Sequence, residues 1–187
     1  MDKLRQLTDN NLKKFWNKNQ RDLKYRFGRM VYKWIAGLEY DRMSDVDVVE
    51  KYTKLNKRGT SKLRQFGRLL FGYNGLGWKI GVSITDLRSK ASIGLPSDKN
   101  TGDHVVGVTL VGWLCHEKIL ECMNNGMSNM EVVDYMKNEW LYDHLHYWSM
   151  IQITRDEHKE ENLSRDEHTL QEKLNLDHYL EAGIEVV

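Results

Sequence analysis

Two short stretches of the sequence bring together residue types that can bind a metal ion and move a proton. The first is the Asp103-His104 pair in "NTGDHVVG", and the second is "TRDEHKEEN", which contains His158 and Asn162. A carboxylate and an imidazole can share a divalent ion, and a neutral imidazole can also accept a proton near pH 7. These two stretches are therefore our candidates for a catalytic site.

The second stretch has a near copy further along the chain, because Arg-Asp-Glu-His follows a hydroxyl residue twice, ten residues apart. A Ser or Thr followed three residues later by Glu is typical of a capping box, in which each side chain accepts a hydrogen bond from the other residue's backbone N–H. Thr154 with Glu157, and Ser164 with Glu167, are therefore each predicted to begin a helix.

The two Arg-Asp-Glu-His copies differ in the element predicted to precede them. "LHYWSMIQI" is aromatic and β-branched, which predicts a strand running into Thr154. The second copy follows the end of a helix, and an amphipathic terminal helix with a short extended tail after Gly183 is predicted beyond it. We therefore expect chemistry from His158 and none from His168.

The front of the chain is predicted to be helical, with helices at residues 8–20, 22–38, 45–56 and 60–72. The helix at 60–72 is amphipathic and basic, and Lys62, Arg64 and Arg68 are its predicted phosphate contacts. Six aromatic residues recur among basic ones before position 35, and most of them are predicted to lie in the core: Phe15, Trp16, Tyr25, Phe27, Tyr32 and Trp34.

Charge divides the chain into two halves of opposite sign. Residues 1–90 hold 21 Lys and Arg against 9 Asp and Glu, a balance of +12, whereas residues 91–187 hold 7 against 18, a balance of −11. The boundary is predicted near Pro96, between a helical, basic DNA-binding region at 1–92 and a second domain at 93–187. The alternative is that a basic and an acidic domain merely attract one another.

The sequence also argues against a membrane protein, a secreted protein and a zinc site built on cysteines. No apolar run approaches the roughly 18 residues of a membrane span, and the first residues lack the apolar segment of a secretory signal, so a cytoplasmic protein is expected. Cys115 and Cys122 lie seven residues apart in a predicted helix that closes on Gly126, and with His116 they lack zinc spacing. Both thiols are predicted to be core residues.

The two candidate stretches resemble the ββα-metal, or HNH-type, nuclease family, including phage-type homing endonucleases. The resemblance covers about residues 95–165 and rests on the Asp-His pair and on Thr-x-x-Glu-His-x-x-x-Asn. It implies an α+β fold, in which a ββα-metal core with inserted helices and a C-terminal helix follows the N-terminal helical region. "DHLHYW" departs from the family pattern, since Asp143 or His144 stands where an Asn is usual.

The resemblance also implies an activity and a set of roles. The protein would be a DNA endonuclease acting on double-stranded DNA in the cytoplasm of a bacterium or phage-infected cell. His104 would be the general base, and Asp103 and His158 would hold one Mg²⁺ or Mn²⁺ ion per active site. Asn162 would be a further ligand or a phosphate contact.

Each of these residues also has a structural interpretation. Asp103 suits a turn, His104 a half-buried strand, and His158 a solvated helix position. His144 and His146 flank an aromatic strand and are predicted to be structural, although either could orient a phosphate. The alternative function is a non-catalytic DNA- or RNA-binding regulatory protein, which needs no Asp-His pair near a capped helix.

Overall fold

The structure, a computed structural model, describes residues 2–42, 62–71, 86–159 and 176–187. Within these ranges it is helix-rich with one two-stranded sheet, which confirms the predicted α+β class. The predicted helix at 45–56 and the second Arg-Asp-Glu-His copy lie outside the described residues. None of the described helices has the length and apolar character needed to cross a membrane.

The described helices and strands follow in a simple order along the chain. The helices are α1 (Asp2–Arg42), α2 (Lys62–Phe71), α3 (Val108–Asn124), α4 (Asn129–Tyr135), α5 (Leu141–Asp143), α6 (Arg155–Lys159) and α7 (Asp177–Glu181). The strands are β1 (Asn100–His104) and β2 (Met150–Thr154). A π-helical turn, Met136–Trp140, joins α4 to α5, and 3₁₀ turns lie at Lys90–Ser92, Ser97–Lys99 and Leu145–Trp148.

The chain divides into two compact units, each assembled from distant segments. The first unit comprises Met1–Lys18, Trp78–Gly107 and Leu145–Val187, and the second comprises Asn19–Gly77 and Val108–His144. The boundary predicted at residues 92 and 93 falls inside the first unit. The two compact units and the predicted domains therefore divide the chain differently.

The sheet belongs to the first unit. β1 and β2 are antiparallel, with Asn100 opposite Thr154 and His104 opposite Met150. The 3₁₀ turn at Leu145–Trp148 occupies the start of the predicted strand "LHYWSMIQI", so β2 itself begins only at Met150. The C-terminal tail is extended as predicted, because Arg88 and Val187 exchange two backbone hydrogen bonds, of 3.1 and 2.9 Å.

Helix α1 corrects the prediction of two helices at 8–20 and 22–38, because it is continuous over 41 residues. No Gly or Pro occurs in it before Gly28, and Gln20 and Arg21 are good helix formers, so nothing breaks the helix at the predicted junction. Its aromatic residues also differ from the prediction in part. Trp16 and Phe27 are buried, but Tyr25 and Tyr32 lie on the surface.

Two glycines allow α2 and α3 to pack closely in the second unit. A Cβ atom on Gly67 would lie 1.9 Å from the carbonyl oxygen of Val108, and one on Gly112 would lie 2.3 Å from that of Leu63. Real Cβ atoms do not approach a backbone oxygen this closely. The two backbones can therefore meet only because both positions lack a side chain.

Local capping rules correctly predicted where α3 ends and where α4 begins. Gly126 has a φ of 84°, and the N–H of Met127 donates to the carbonyl of Cys122 at 3.2 Å, as in a Schellman motif. Ser128 and Glu131 form both hydrogen bonds of a capping box.

The two cysteines of α3 are also as predicted. Cys115 and Cys122 are free and buried in the second unit. Burial raises the pKa of both thiols, since the charged thiolate loses its water. Both are therefore core thiols.

The close helix packing gives a first prediction. Gly67→Ala should lower the free energy of unfolding by about 2 kcal/mol, because the added methyl group displaces α3. The measurement is urea denaturation followed by circular dichroism. Gly107→Ala is the matched control, since its Cβ would meet nothing within 4 Å, and its change should stay within about 0.5 kcal/mol. Equal stability of the two variants would contradict the close approach.

Candidate active site

The capping box at Thr154 positions His158. The N–H of Glu157 donates to Thr154 Oγ1 at 3.0 Å, and the N–H of Thr154 donates to Glu157 Oε2 at 2.8 Å. Because α6 starts directly after β2, His158 lies in a short capped helix one turn beyond the sheet. This confirms the predicted strand-to-helix junction at Thr154.

Asp103 has a buried carboxylate, which is only 2% exposed. Its Oδ2 accepts a hydrogen bond of 2.6 Å from the Tyr179 hydroxyl. Its Oδ1 lies 3.6 Å from Nε2 of His158, whose side chain is 51% exposed. The contact therefore joins a buried carboxylate to a half-exposed imidazole, at the edge of the unit's core.

The surroundings of Asp103 explain why it needs a strong hydrogen bond. It pairs with Ile151 across the sheet, so it shares a face with Ile151 and Ile153. That face contributes to an apolar cluster of Leu87, Val105, Ile151, Ile153, Leu176, Tyr179 and Ile184. Burying a carboxylate among such groups is costly unless it is hydrogen-bonded, and Tyr179 provides one bond.

Tyr179 is the residue that the sequence analysis missed. It is fully buried in α7, and its sequence position is 76 residues from Asp103. Nothing local connected it to the Asp-His pair.

His104 occupies the last position of β1, opposite Met150, and is partly buried. Neighbouring residues of a strand point to opposite faces, so the His104 side chain leaves the backbone on the face opposite Asp103. The structure thus brings Asp103 and His158 together, with His104 adjacent in the chain. Asn162 lies outside the described residues. The catalytic and metal roles of all four remain predictions.

Glu157 has a contact beyond its cap. The buried Ser89 hydroxyl donates to Glu157 Oε2 at 2.6 Å. The N–H of Ser89 also donates to the carbonyl of Gln152 in β2, at 2.8 Å. The segment before β1 therefore holds both the strand and the start of the helix that carries His158, which restricts the orientation of α6.

The separation of Asp103 Oδ1 and His158 Nε2 is close to that of two ligand atoms on one divalent ion. With ligand distances of about 2.0–2.2 Å, two atoms bound to one ion lie about 3–4 Å apart. Asp103 Oδ1 and His158 Nε2 satisfy this spacing at 3.6 Å. Within the described ranges, no group of three or more His, Cys, Asp or Glu side chains could hold a metal. An ion here would therefore take its other ligands from water, phosphate or Asn162.

The predicted DNA contacts lie on α2, in the second unit. Leu63, Phe66 and Leu70 are buried, whereas Arg64 and Arg68 are exposed and Lys62 is partly exposed. The predicted amphipathic character of this helix is confirmed. Its contact with DNA remains a prediction.

The other histidines of interest contact aromatic rings. His144 stacks on Trp140 with 4.2 Å between ring centroids, and its Nδ1 lies 2.8 Å from the Trp140 carbonyl oxygen. His146 packs on Tyr147 at the same centroid distance of 4.2 Å. These contacts support their structural interpretation.

Comparison with protein-family models, curated proteins and solved structures found no match. The candidate site is therefore defined by its own geometry: a buried carboxylate on a strand, a half-exposed imidazole on the helix after the next strand, and a tyrosine that orients the carboxylate.

The hydrogen bond between Tyr179 and Asp103 gives a second prediction. Tyr179→Phe should lower the free energy of unfolding by about 2 kcal/mol, because a buried carboxylate loses its donor while the ring is kept. Urea denaturation at neutral pH measures the change. The exposed Tyr25→Phe is the control and should stay within about 0.5 kcal/mol of wild type. A Tyr179→Phe variant as stable as this control would show that the bond contributes nothing.

Proposed function

We propose that the protein is a metal-dependent DNA endonuclease of the HNH type, which hydrolyses phosphodiester bonds with a histidine general base and one divalent ion. The observation that supports it best is the 3.6 Å separation of Asp103 Oδ1 and His158 Nε2, from β1 and from the helix that follows β2. In this proposal β1, β2 and α6 are the ββα-metal core, and α2 to α5 belong to the inserted and preceding helices.

Asp103 and His158 would hold the ion from two different elements. The Tyr179 hydroxyl occupies Oδ2 and leaves Oδ1 facing the imidazole, so the carboxylate is oriented before any ion arrives. The exposure of His158 leaves room for a phosphate and water on its solvent side. When bound, Mg²⁺ or Mn²⁺ would stabilise negative charge on the oxygen that leaves the phosphorus.

His104 would act as the general base. A neutral imidazole would take a proton from water, and the resulting hydroxide would attack the phosphorus. The bond from phosphorus to the 3′ oxygen would break, and that oxygen would take a proton from solvent water. The products would carry 5′-phosphate and 3′-hydroxyl ends. His104 ends β1 and directly follows Asp103, whose carboxylate is anchored by its hydrogen bond to Tyr179.

The substrate in this proposal is double-stranded DNA, held through its phosphates by Lys62, Arg64 and Arg68. Arg64 and Arg68 lie one turn apart on the exposed side of α2, which suits neighbouring phosphates. The corresponding location is the cytoplasm of a bacterium or phage-infected cell.

One observation favours a second candidate, a non-catalytic DNA- or RNA-binding regulatory protein. The Asp103 carboxylate is buried and hydrogen-bonded, as a purely structural carboxylate would be. In that case the protein would bind nucleic acid through its basic helices and cleave none of it, with Mg²⁺ or with Mn²⁺.

Cleavage by two histidine variants gives a third prediction. His158→Ala should abolish Mg²⁺-dependent relaxation of a supercoiled plasmid, because it removes a proposed protein ligand of the ion. His168→Ala, from the matched second Arg-Asp-Glu-His copy, should cleave like wild type. His104→Ala should cleave at least about 10²-fold more slowly while it still binds DNA, as expected after loss of a general base.

The assay uses one plasmid at saturating Mg²⁺, with a parallel reaction in EDTA. Equal losses for His158→Ala and His168→Ala would mean that the wrong copy has been chosen. Binding of the plasmid by wild type without relaxation under either ion would favour the regulatory protein instead.

A further inference from the structure

One exposed face of α1 carries two arginines and two tyrosines, which we call the Arg-Tyr stripe: Arg21, Tyr25, Arg29 and Tyr32. Their spacing of four, four and three residues keeps them within about 80° of one another around the helix axis. Tyr25 is 67% exposed and Tyr32 is 53% exposed. All four residues belong to the second unit.

The opposite face of the same helix segment supplies the core. Leu23, Phe27, Val31 and Ile35 are buried there. The tyrosines of the stripe lie outside this buried face, and more than half of each remains exposed. Two aromatic side chains that lie more than half exposed on one helix face mark a candidate contact surface for a partner.

The arginines of the stripe have no acidic partner among the residues that the structure describes. Within the described part of the chain, no ion pair or side-chain hydrogen bond involves any of its four residues. The nearest acidic residue in sequence, Asp22, is engaged at 2.8 Å by Arg26. The exposed Lys33 adds a further positive charge beside Tyr32. The stripe therefore attracts an anion of extended shape.

The alternation of arginine and tyrosine favours an anion that carries both phosphate groups and aromatic bases. One guanidinium group can donate two parallel hydrogen bonds to the oxygens of a phosphate, and a tyrosine ring can stack on a nucleobase. Tyr25 and Tyr32 lie about 10 Å apart along the helix axis, and Arg29 lies between them. The bases of a duplex are hidden in their own stack, so only a strand with unpaired bases can use both rings.

We propose that the Arg-Tyr stripe binds single-stranded nucleic acid, with Arg21 and Arg29 on phosphates and Tyr25 and Tyr32 stacked on bases. An anionic membrane is the less suitable partner, because a helix that lies in a bilayer surface inserts Leu, Phe or Trp, and the stripe has none. This binding is distinct from the duplex contacts proposed for α2, and it requires neither a metal ion nor cleavage.

The test measures binding of a labelled 20-nucleotide oligothymidine, and of a duplex of the same length, by fluorescence anisotropy in EDTA with the full chain. The double variant Tyr25→Leu and Tyr32→Leu should bind the single strand at least about tenfold more weakly, since two stacking rings are lost. Its affinity for the duplex should change less than twofold. The double variant Tyr25→Phe and Tyr32→Phe keeps both rings and should bind within about threefold of wild type.

Two arginine variants provide the matched comparison. Arg21→Gln with Arg29→Gln should weaken single-strand binding and make it less dependent on salt, because fewer counterions are released. Arg64→Gln with Arg68→Gln removes the same charge from α2 and should affect the duplex more than the single strand. Circular dichroism establishes that each variant is folded, and the arginine variants test the stripe even if the leucine variant is not.

Three results would overturn the inference. The first is unchanged single-strand affinity in the folded leucine variant, or in the Arg21 and Arg29 variant. The second is an equal loss of duplex and single-strand binding in the leucine variant. The third is wild-type protein that binds phosphatidylserine vesicles and not oligothymidine.

Discussion

The buried carboxylate of Asp103 is the constraint on which the first unit depends. A charge among isoleucines must be hydrogen-bonded, and Tyr179 meets that need from a helix near the end of the chain. The bond joins β1 to α7 and leaves one carboxylate oxygen directed towards His158. The hydrogen bond that compensates the buried carboxylate therefore also orients the oxygen that the proposed site would use as a ligand.

Features set by a few neighbouring residues were predictable from the sequence. The capping boxes at Thr154 and Ser128 and the helix end at Gly126 were predicted correctly, because each needs only side chains within about one turn. The junction before His158 follows from the first of these. It is the part of the candidate site that sequence reasoning could reach.

Features set by distant contacts were not predictable. The partner of Asp103 lies 76 residues away, and no spacing rule connects Tyr179 to it. The continuity of α1, by contrast, follows from local sequence, because no Gly or Pro separates the two predicted helices, and it was missed all the same. Most of the six aromatic residues before position 35 were predicted to lie in the core, yet Tyr25 and Tyr32 lie on the surface, since helical spacing alone does not show which face is covered.

The central claim is that Asp103 and His158 together hold a divalent ion, and Mn²⁺ titration followed by nuclear magnetic resonance tests it most directly. The bound paramagnetic ion should selectively broaden the ring signals of His158 and Tyr179 at low Mn²⁺ concentration, and Asp103→Asn should remove that broadening while the spectrum remains that of a folded protein. Broadening that persists in Asp103→Asn, or that never selects these two rings in wild type, would contradict the account.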